Sequence, residues 1–198
     1  MQRSFLFIAL GAVVGLVAVG AFLLSQPYTP HGSLIEPPVP APDFTLPSAQ
    51  GDFRLADQRG KMVLIFFGFT TCPDVCPATL GEMKVIHQRL GDQADDVRFV
   101  FITVDPERDT IERTSSYAGN FHPDFVGLSG SEEQLTAVWK GYGVYREKRV
   151  QEGSAIGYLM DHSAQVYMID PDGNLRMTFA FGTPVDDMLA DVRHYLKN

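Results

Sequence analysis

The chain has 198 residues, with 24 aspartates and glutamates against 16 lysines and arginines, and a formal net charge of −8 at pH 7. That acidic balance makes nucleic acid and anionic lipid poor partners. The chain is 45% hydrophobic, and the stretch from about Pro42 onward is one domain's worth, long enough for a sizeable core.

Phe5 to Leu24 is an unbroken run of apolar and glycine residues, long enough to span a bilayer. Arg3 is the only charge before Glu36, and it predicts that the N-terminal end stays in the cytoplasm while the rest crosses. A small-residue cleavage site could lie at Ala18-Val19-Gly20. The apolar run continues past it, which favours an uncleaved transmembrane anchor over residues 1–25. The simplest setting is a bacterial inner membrane, crossed once, with the globular domain in the periplasm. Residues 26–41 carry Pro27, Pro30, Pro37, Pro38 and Pro40 and read as a semi-rigid tether, in which His31 is a solvated residue.

The domain, 42–198, opens with Asp43 to Leu46 and Phe53 to Leu55, a hairpin around the turn Ser48 to Gly51. Met62 to Phe67 is a short apolar run and reads as a buried strand. Cys76, Leu80, Met83, Ile86 and Leu90 then fall at helical spacing, with Asp74 as the N-cap and Pro77 tolerated in the first turn. Val97 to Val104 is a second buried strand. Asp109 begins a helix, with Glu112 at the capping-box position. Val126 to Leu128 is a short strand. Ser131 and Gln134 form a capping box for a helix that runs through Leu135, Val138 and Trp139. Ala164 to Ile169 and Leu175 to Phe181 are strands joined by the turn Pro171-Asp172-Gly173. Thr183-Pro184 opens the last helix, which points Met188, Leu189, Val192 and Leu196 inward. Strands alternating with helices, then a hairpin and a terminal helix, give an α/β three-layer domain, and a thioredoxin-like sheet fits the order.

The two cysteines of the chain, Cys72 and Cys76, lie on the turn between the first buried strand and its helix. Sites in open α/β sheets form at such carboxyl ends of strands. A helix N-terminus favours thiolate over thiol. Spacing of i to i+4 puts both sulfurs on one face if the turn is helical. Such a pair can hold one soft metal ion, close a reactive disulfide, or serve as a structural disulfide or buried thiols.

Three stretches together resemble the SCO/SenC family: Phe67 to Pro77, Thr103 to Thr110, and Tyr158 to Ser163, in that order and at these separations. The resemblance implies a thioredoxin-like fold and copper delivery for assembly of the CuA centre of cytochrome c oxidase. It implies copper, as Cu(I) or Cu(II), held by Cys72, Cys76 and His162. The partners that go with that role are the CuA-bearing subunit, a periplasmic copper donor, a periplasmic thiol reductant and, through the anchor, the membrane.

The histidine also stands out on position. His162 directly precedes the strand Ala164 to Ile169, where a thioredoxin-like fold faces its active-site turn. Two thiolates and an imidazole suit copper. A closed structural zinc site wants four protein ligands. Asp161 is a candidate to orient the imidazole, with a turn role as the alternative. Met160 reads as packing. Asp105 and Arg108 are either turn residues or a polar rim that meets a partner; Asp109 reads as a turn and helix cap. The competing functions are a thiol-disulfide oxidoreductase, whose spacing here departs from Cys-x-x-Cys by one residue, and a redox or copper sensor. A peroxiredoxin would want a threonine three residues before its cysteine, where Phe69 and Pro73 stand.

Overall fold

The computed structural model describes residues 27–151 and 157–197, together with Gly15. Apart from Gly15, the segment read as an anchor lies outside these residues. Among the described residues no helix is long and apolar enough to cross a membrane. The chain divides into two compact units, Met1–Pro30 and His31–Asn198.

The second unit runs β1 (Ser33–Pro40), β2 (Thr45–Ser48), β3 (Gly51–Arg54), β4 (Met62–Gly68), α1 (Val75–Leu90), β5 (Val97–Thr103), α2 (Ile111–Gly119), β6 (Val126–Leu128), α3 (Glu132–Gly141), β7 (Arg146–Val150), β8 (Tyr158–His162), β9 (Gln165–Ile169), β10 (Asn174–Ala180) and α4 (Val185–Tyr195). Six strands form one sheet in the order β1-β10-β9-β4-β5-β6; β2–β3 and β7–β8 are separate hairpins. β4, β5 and β6 run parallel, while β9 is antiparallel to β4 and to β10. This is the expected thioredoxin-like α/β arrangement.

Every residue of β4 is buried, as a central strand covered on both faces requires. Its sequence is accordingly an unbroken apolar run rather than an alternation. α1 buries Cys76, Leu80, Met83, Ile86 and Leu90 along one stripe and packs against α4. α2 packs against β5, β6 and the β2–β3 hairpin. The capping box of Ser131 and Gln134 is present at the start of α3. The turn Pro171-Asp172-Gly173 joins β9 to β10, and Gly173 takes the left-handed φ of +77° that its closing position needs.

Three expectations are corrected. The proline-rich stretch is not a tether from Ser33 onward: it is the edge strand β1, paired antiparallel with β10. Prolines are tolerated on a sheet edge because their missing amides face outward. His31 is likewise tied down. Its backbone amide and that of Gly32 donate to the fully buried carboxylate of Asp191, at 3.0 and 2.8 Å, and its Nδ1 lies 3.2 Å from the same group. Lastly, the helix expected at Asp109 starts later. Thr110 is its N-cap and its side chain accepts from Arg113 N, so Glu112 does not close a box.

Candidate metal centre

β4 ends at Gly68, and six residues of loop lead to α1. A Cβ at Gly68 would meet Cys76 Sγ and the Phe101 ring at 2.8 Å, so the glycine lets the sulfur lie against the end of the strand. Cys72 N donates to Phe69 O at 3.2 Å, which curls the loop back. Cys76 N then donates to Cys72 Sγ at 3.4 Å. The sulfur of Cys72 thus takes an amide of the first helical turn that has no helical partner. Asp74 holds the N-cap position as expected, but its side chain makes no capping bond. Cys76 is fully buried and Cys72 partly exposed; both are free thiols.

His162 arrives from a different element. It ends β8, the strand that pairs with β7 in a separate hairpin, before the chain enters β9. The hairpin's base is fixed by Ser163 N donating to Tyr145 O and Tyr145 N donating to Ser163 Oγ, both at 3.0 Å. His162 Nδ1 donates to Ser163 O at 2.9 Å, and its Nε2 lies 3.8 Å from Cys76 Sγ. A carbonyl can only accept, so the proton sits on Nδ1 and the Nε2 lone pair faces the sulfur. Phe66 and Phe69 pack edge-on to the imidazole at 6.3 and 5.7 Å and fix its plane. Cys72, His162, Phe69, Pro73 and Met160 line an open cleft of about 300 Å³.

The two sulfurs divide the work electrostatically. The Cys76 thiol donates to Cys72 and, with the amides of Cys76 and Asp74, holds the Cys72 thiol far below its usual range, at about 4, against an opposing effect of burial. Cys76 is pushed up, first by the hydrogen bond to Cys72, then by its own burial and the negative charge beside it. At neutral pH the pair therefore keeps one proton, on the inner sulfur, and presents one thiolate at the outer. A metal that binds both sulfurs must displace that proton.

Two buried networks position these parts. Asp109, fully buried, accepts from Thr70 N at 2.9 Å, Thr70 Oγ1 at 2.5 Å and Thr103 Oγ1 at 2.8 Å. It joins the end of β5 to the cysteine loop and is not a helix cap. In the second network Asp105 accepts from Arg108 Nε at 2.6 Å and from Tyr158 Oη at 2.8 Å, while Arg108 Nη1 donates to Tyr158 O at 3.0 Å. The guanidinium lies over the Tyr158 ring, 3.6 Å from its centroid. This network anchors β8, four residues before His162. The sequence offered a signal in the aspartates just past a buried strand, with an arginine between them, and in Tyr158 as the start of the third family stretch, but no role for that tyrosine.

The structure places the predicted Cys76 Sγ 3.8 Å from the predicted His162 Nε2, puts Cys72 and His162 on one cleft, and does not place Asp161 behind the imidazole. Asp161 neighbours His162 in a strand, so the two side chains point to opposite faces. It pairs instead with Arg149 of β7, accepting from Nε at 2.9 Å. The carbonyl of Ser163 does the orienting. Met160 is buried in packing contact with the core, as read.

The chain is similar to known proteins over most of its length. An SCO2-like protein of Rickettsia conorii is 36% identical over 154 residues, covering 73% of this chain and 75% of its own. The solution structure of apo Sco1 from Thermus thermophilus superposes with a TM-score of 0.77 at 37% identity, covering 86% of this chain and 99% of that one. Bradyrhizobium japonicum ScoI, solved with copper bound, gives 0.71 at 36% identity, over 79% of this chain and 99% of that one. The sequence model described as SCO1/SenC matches residues 34–197, from β1 to the end of α4. With its fold, its paired cysteines and its histidine all in that range, the chain belongs to the SCO1/SenC family.

Proposed function

We propose that this chain is a membrane-anchored copper carrier that supplies the CuA centre of cytochrome c oxidase during its assembly. The observation that carries the proposal is the convergence of Cys72, Cys76 and His162, with a thiolate on the outer sulfur and an imidazole lone pair aimed at the inner one. Two soft sulfurs suit Cu(I), and the imidazole adds affinity for Cu(II). Cys72 and His162 line an open cleft, with Cys76 buried behind them, which leaves room for a donor of the recipient to join before the carrier's own ligands leave. That is a property of a delivery site rather than of a closed structural one. Copper-bound structures among the relatives support the same reading.

The setting follows from the sequence. Residues 1–25 are proposed as the anchor and the periplasm as the location of the domain. A periplasmic copper donor loads the site, a thiol reductant keeps Cys72 and Cys76 reduced, and the CuA-bearing subunit receives the ion. A reporter fused after Asn198 should be active only outside the cytoplasm, and full release by osmotic shock would contradict the anchor.

A second reading has its own observation. An exposed thiolate at Cys72 beside a protonated, buried Cys76 is also an attacking and resolving pair for disulfide exchange. Mixing the Cu(I)-loaded chain with the metal-free CuA domain separates the two. Carriage predicts that copper transfers and that His162→Ala impairs its loading. Disulfide turnover without copper transfer, unaffected by His162→Ala, would favour the reductase.

A further inference from the structure

We infer that His87, His122 and Asp124 form a second metal site, for a divalent ion of borderline softness such as Zn(II) or Cu(II), separate from the cysteine centre. His87 lies eleven residues beyond Cys76 on α1, about 16 Å along the helix axis. His122 and Asp124 come from the loop between α2 and β6. One donor atom of each residue lies within 4.8 Å of those of the other two.

The arrangement is built from behind. Phe99 of β5 and Phe125 stack at 4.9 Å and 13°, forming a wall for both imidazoles. His87 packs against Phe99 at 5.4 Å and Phe125 at 6.0 Å, and His122 against Phe125 at 5.7 Å. The loop is closed on itself by Phe125 N donating to His122 O at 3.0 Å. The two imidazoles lie only 3.8 Å apart, centroid to centroid. Their side chains are 15% and 23% exposed and that of Asp124 is 66% exposed, so the carboxylate stands on the open side.

The distances distinguish a ligand set from a hydrogen-bonded cluster. Asp124 Oδ2 is 3.7 Å from His87 Nε2 and 3.6 Å from His122 Nδ1. Both are longer than a good hydrogen bond. They approach the donor-to-donor edge of a tetrahedral site, about 3.3 Å for bonds of roughly 2.0–2.1 Å. His122 Nδ1 accepts from Asp124 N at 3.3 Å, so this nitrogen carries a lone pair rather than a proton, and an ion bound there displaces only that one long hydrogen bond. Two imidazoles and one carboxylate, with no sulfur, suit Cu(II) or Zn(II) and offer little to Cu(I). A site of this kind would hold its ion whether or not Cys72 and Cys76 are oxidised.

The test uses the full chain with Cys72 and Cys76 joined as a disulfide, titrated with zinc chloride in a calorimeter. One ion should bind per chain. His87→Gln and His122→Gln should each weaken binding roughly tenfold or more. Excess Mg²⁺ should not compete. A second readout does not depend on variants: in histidine-labelled protein, the ring nitrogen signals of His87 and His122 should shift together and saturate at one equivalent. His162 and His194 should not move. Absence of zinc uptake, unchanged affinity in both folded variants, displacement by Mg²⁺, or signals of these two rings that do not move would each overturn the assignment. The probe is Zn(II) and the thiols are blocked, so this outcome is independent of whether the cysteine centre carries Cu(I).

Discussion

Asp109 grips Thr70 through both its backbone amide, at 2.9 Å, and its hydroxyl, at 2.5 Å, and so ties the loop after β5 to the loop that carries Cys72. A carboxylate spent this way, fully buried, is a structural clamp on the metal centre. Asp109→Ala should lower stability by about 3 kcal/mol, because it strands one buried donor, on Thr103, and two part-buried ones, on Thr70. It should also weaken Cu(I) binding, because Cys72 is released from its setting. Urea denaturation and Cu(I) competition on one preparation check this. A variant that loses stability but binds Cu(I) as before would mean that the clamp does not position the site.

The sulfurs should titrate apart. Cys72 is held at about 4, so its thiolate is fully present above that value and is lost as the pH falls through it. Cys76 stays protonated well above its ordinary range. Alkylation near pH 6 should therefore modify Cys72 and spare Cys76, with a rate that changes little up to pH 8. Mass spectrometry of the alkylated peptides reads this directly. Equal labelling of the two, or a Cys72 rate that rises tenfold per pH unit over that range, would contradict the shared-proton arrangement.

The salt bridge between Arg108 and Asp105 is buried on the carboxylate side and part-buried on the other, with side-chain exposures of 2% and 19%. Arg108→Ala should cost roughly 3 kcal/mol by leaving that carboxylate without its cation. Tyr158→Phe removes only one hydrogen bond to Asp105 and should cost about 1 kcal/mol. Both loosen β8 and with it His162. Cu(II) affinity, measured beside thermal stability, should fall in both variants. No change in Cu(II) binding would show that the hairpin holds His162 without this network.

His162→Ala should harm Cu(II) binding more than Cu(I) binding, because the two sulfurs alone satisfy the softer ion. Electronic and paramagnetic resonance spectra of the Cu(II) forms report the loss of a nitrogen ligand. Spectra identical to those of the unaltered chain would remove the residue from the site.

Much of this was legible in the residues. β4 and β5 are continuous apolar runs, and the stripe of α1 from Cys76 to Leu90 is periodic, so the central sheet, the helix and the cysteine turn follow from pattern alone. What escaped did so for physical reasons. β1 carries Pro37, Pro38 and Pro40, which read as a linker unless the strand is known to lie at an edge. β7 reads Arg-Glu-Lys-Arg-Val and is largely exposed, so no hydrophobic alternation marks it. It is held by its backbone ladder with β8, and its charges pair across the hairpin and to Glu107, as in Arg149 to Asp161 and Lys148 to Glu107, which only the fold brings together. His162 does precede β9 as read; that it also ends this hairpin was hidden for the same reason. The role of Asp109 was hidden because Thr70 is far away in sequence and a cap is the ordinary use of an aspartate before a helix.

The central claim is that copper is held by the reduced pair Cys72 and Cys76 with His162. A disulfide has no thiolate to offer, so redox state should control loading. The direct measurement is the Cu(I) stoichiometry of the full chain in its reduced and disulfide forms, under a competing chelator. The account predicts about one Cu(I) per reduced chain, from three donors converging on one ion, and almost none per oxidised chain. Equal uptake by the two forms would contradict it, because the ion would then lie away from the cysteines.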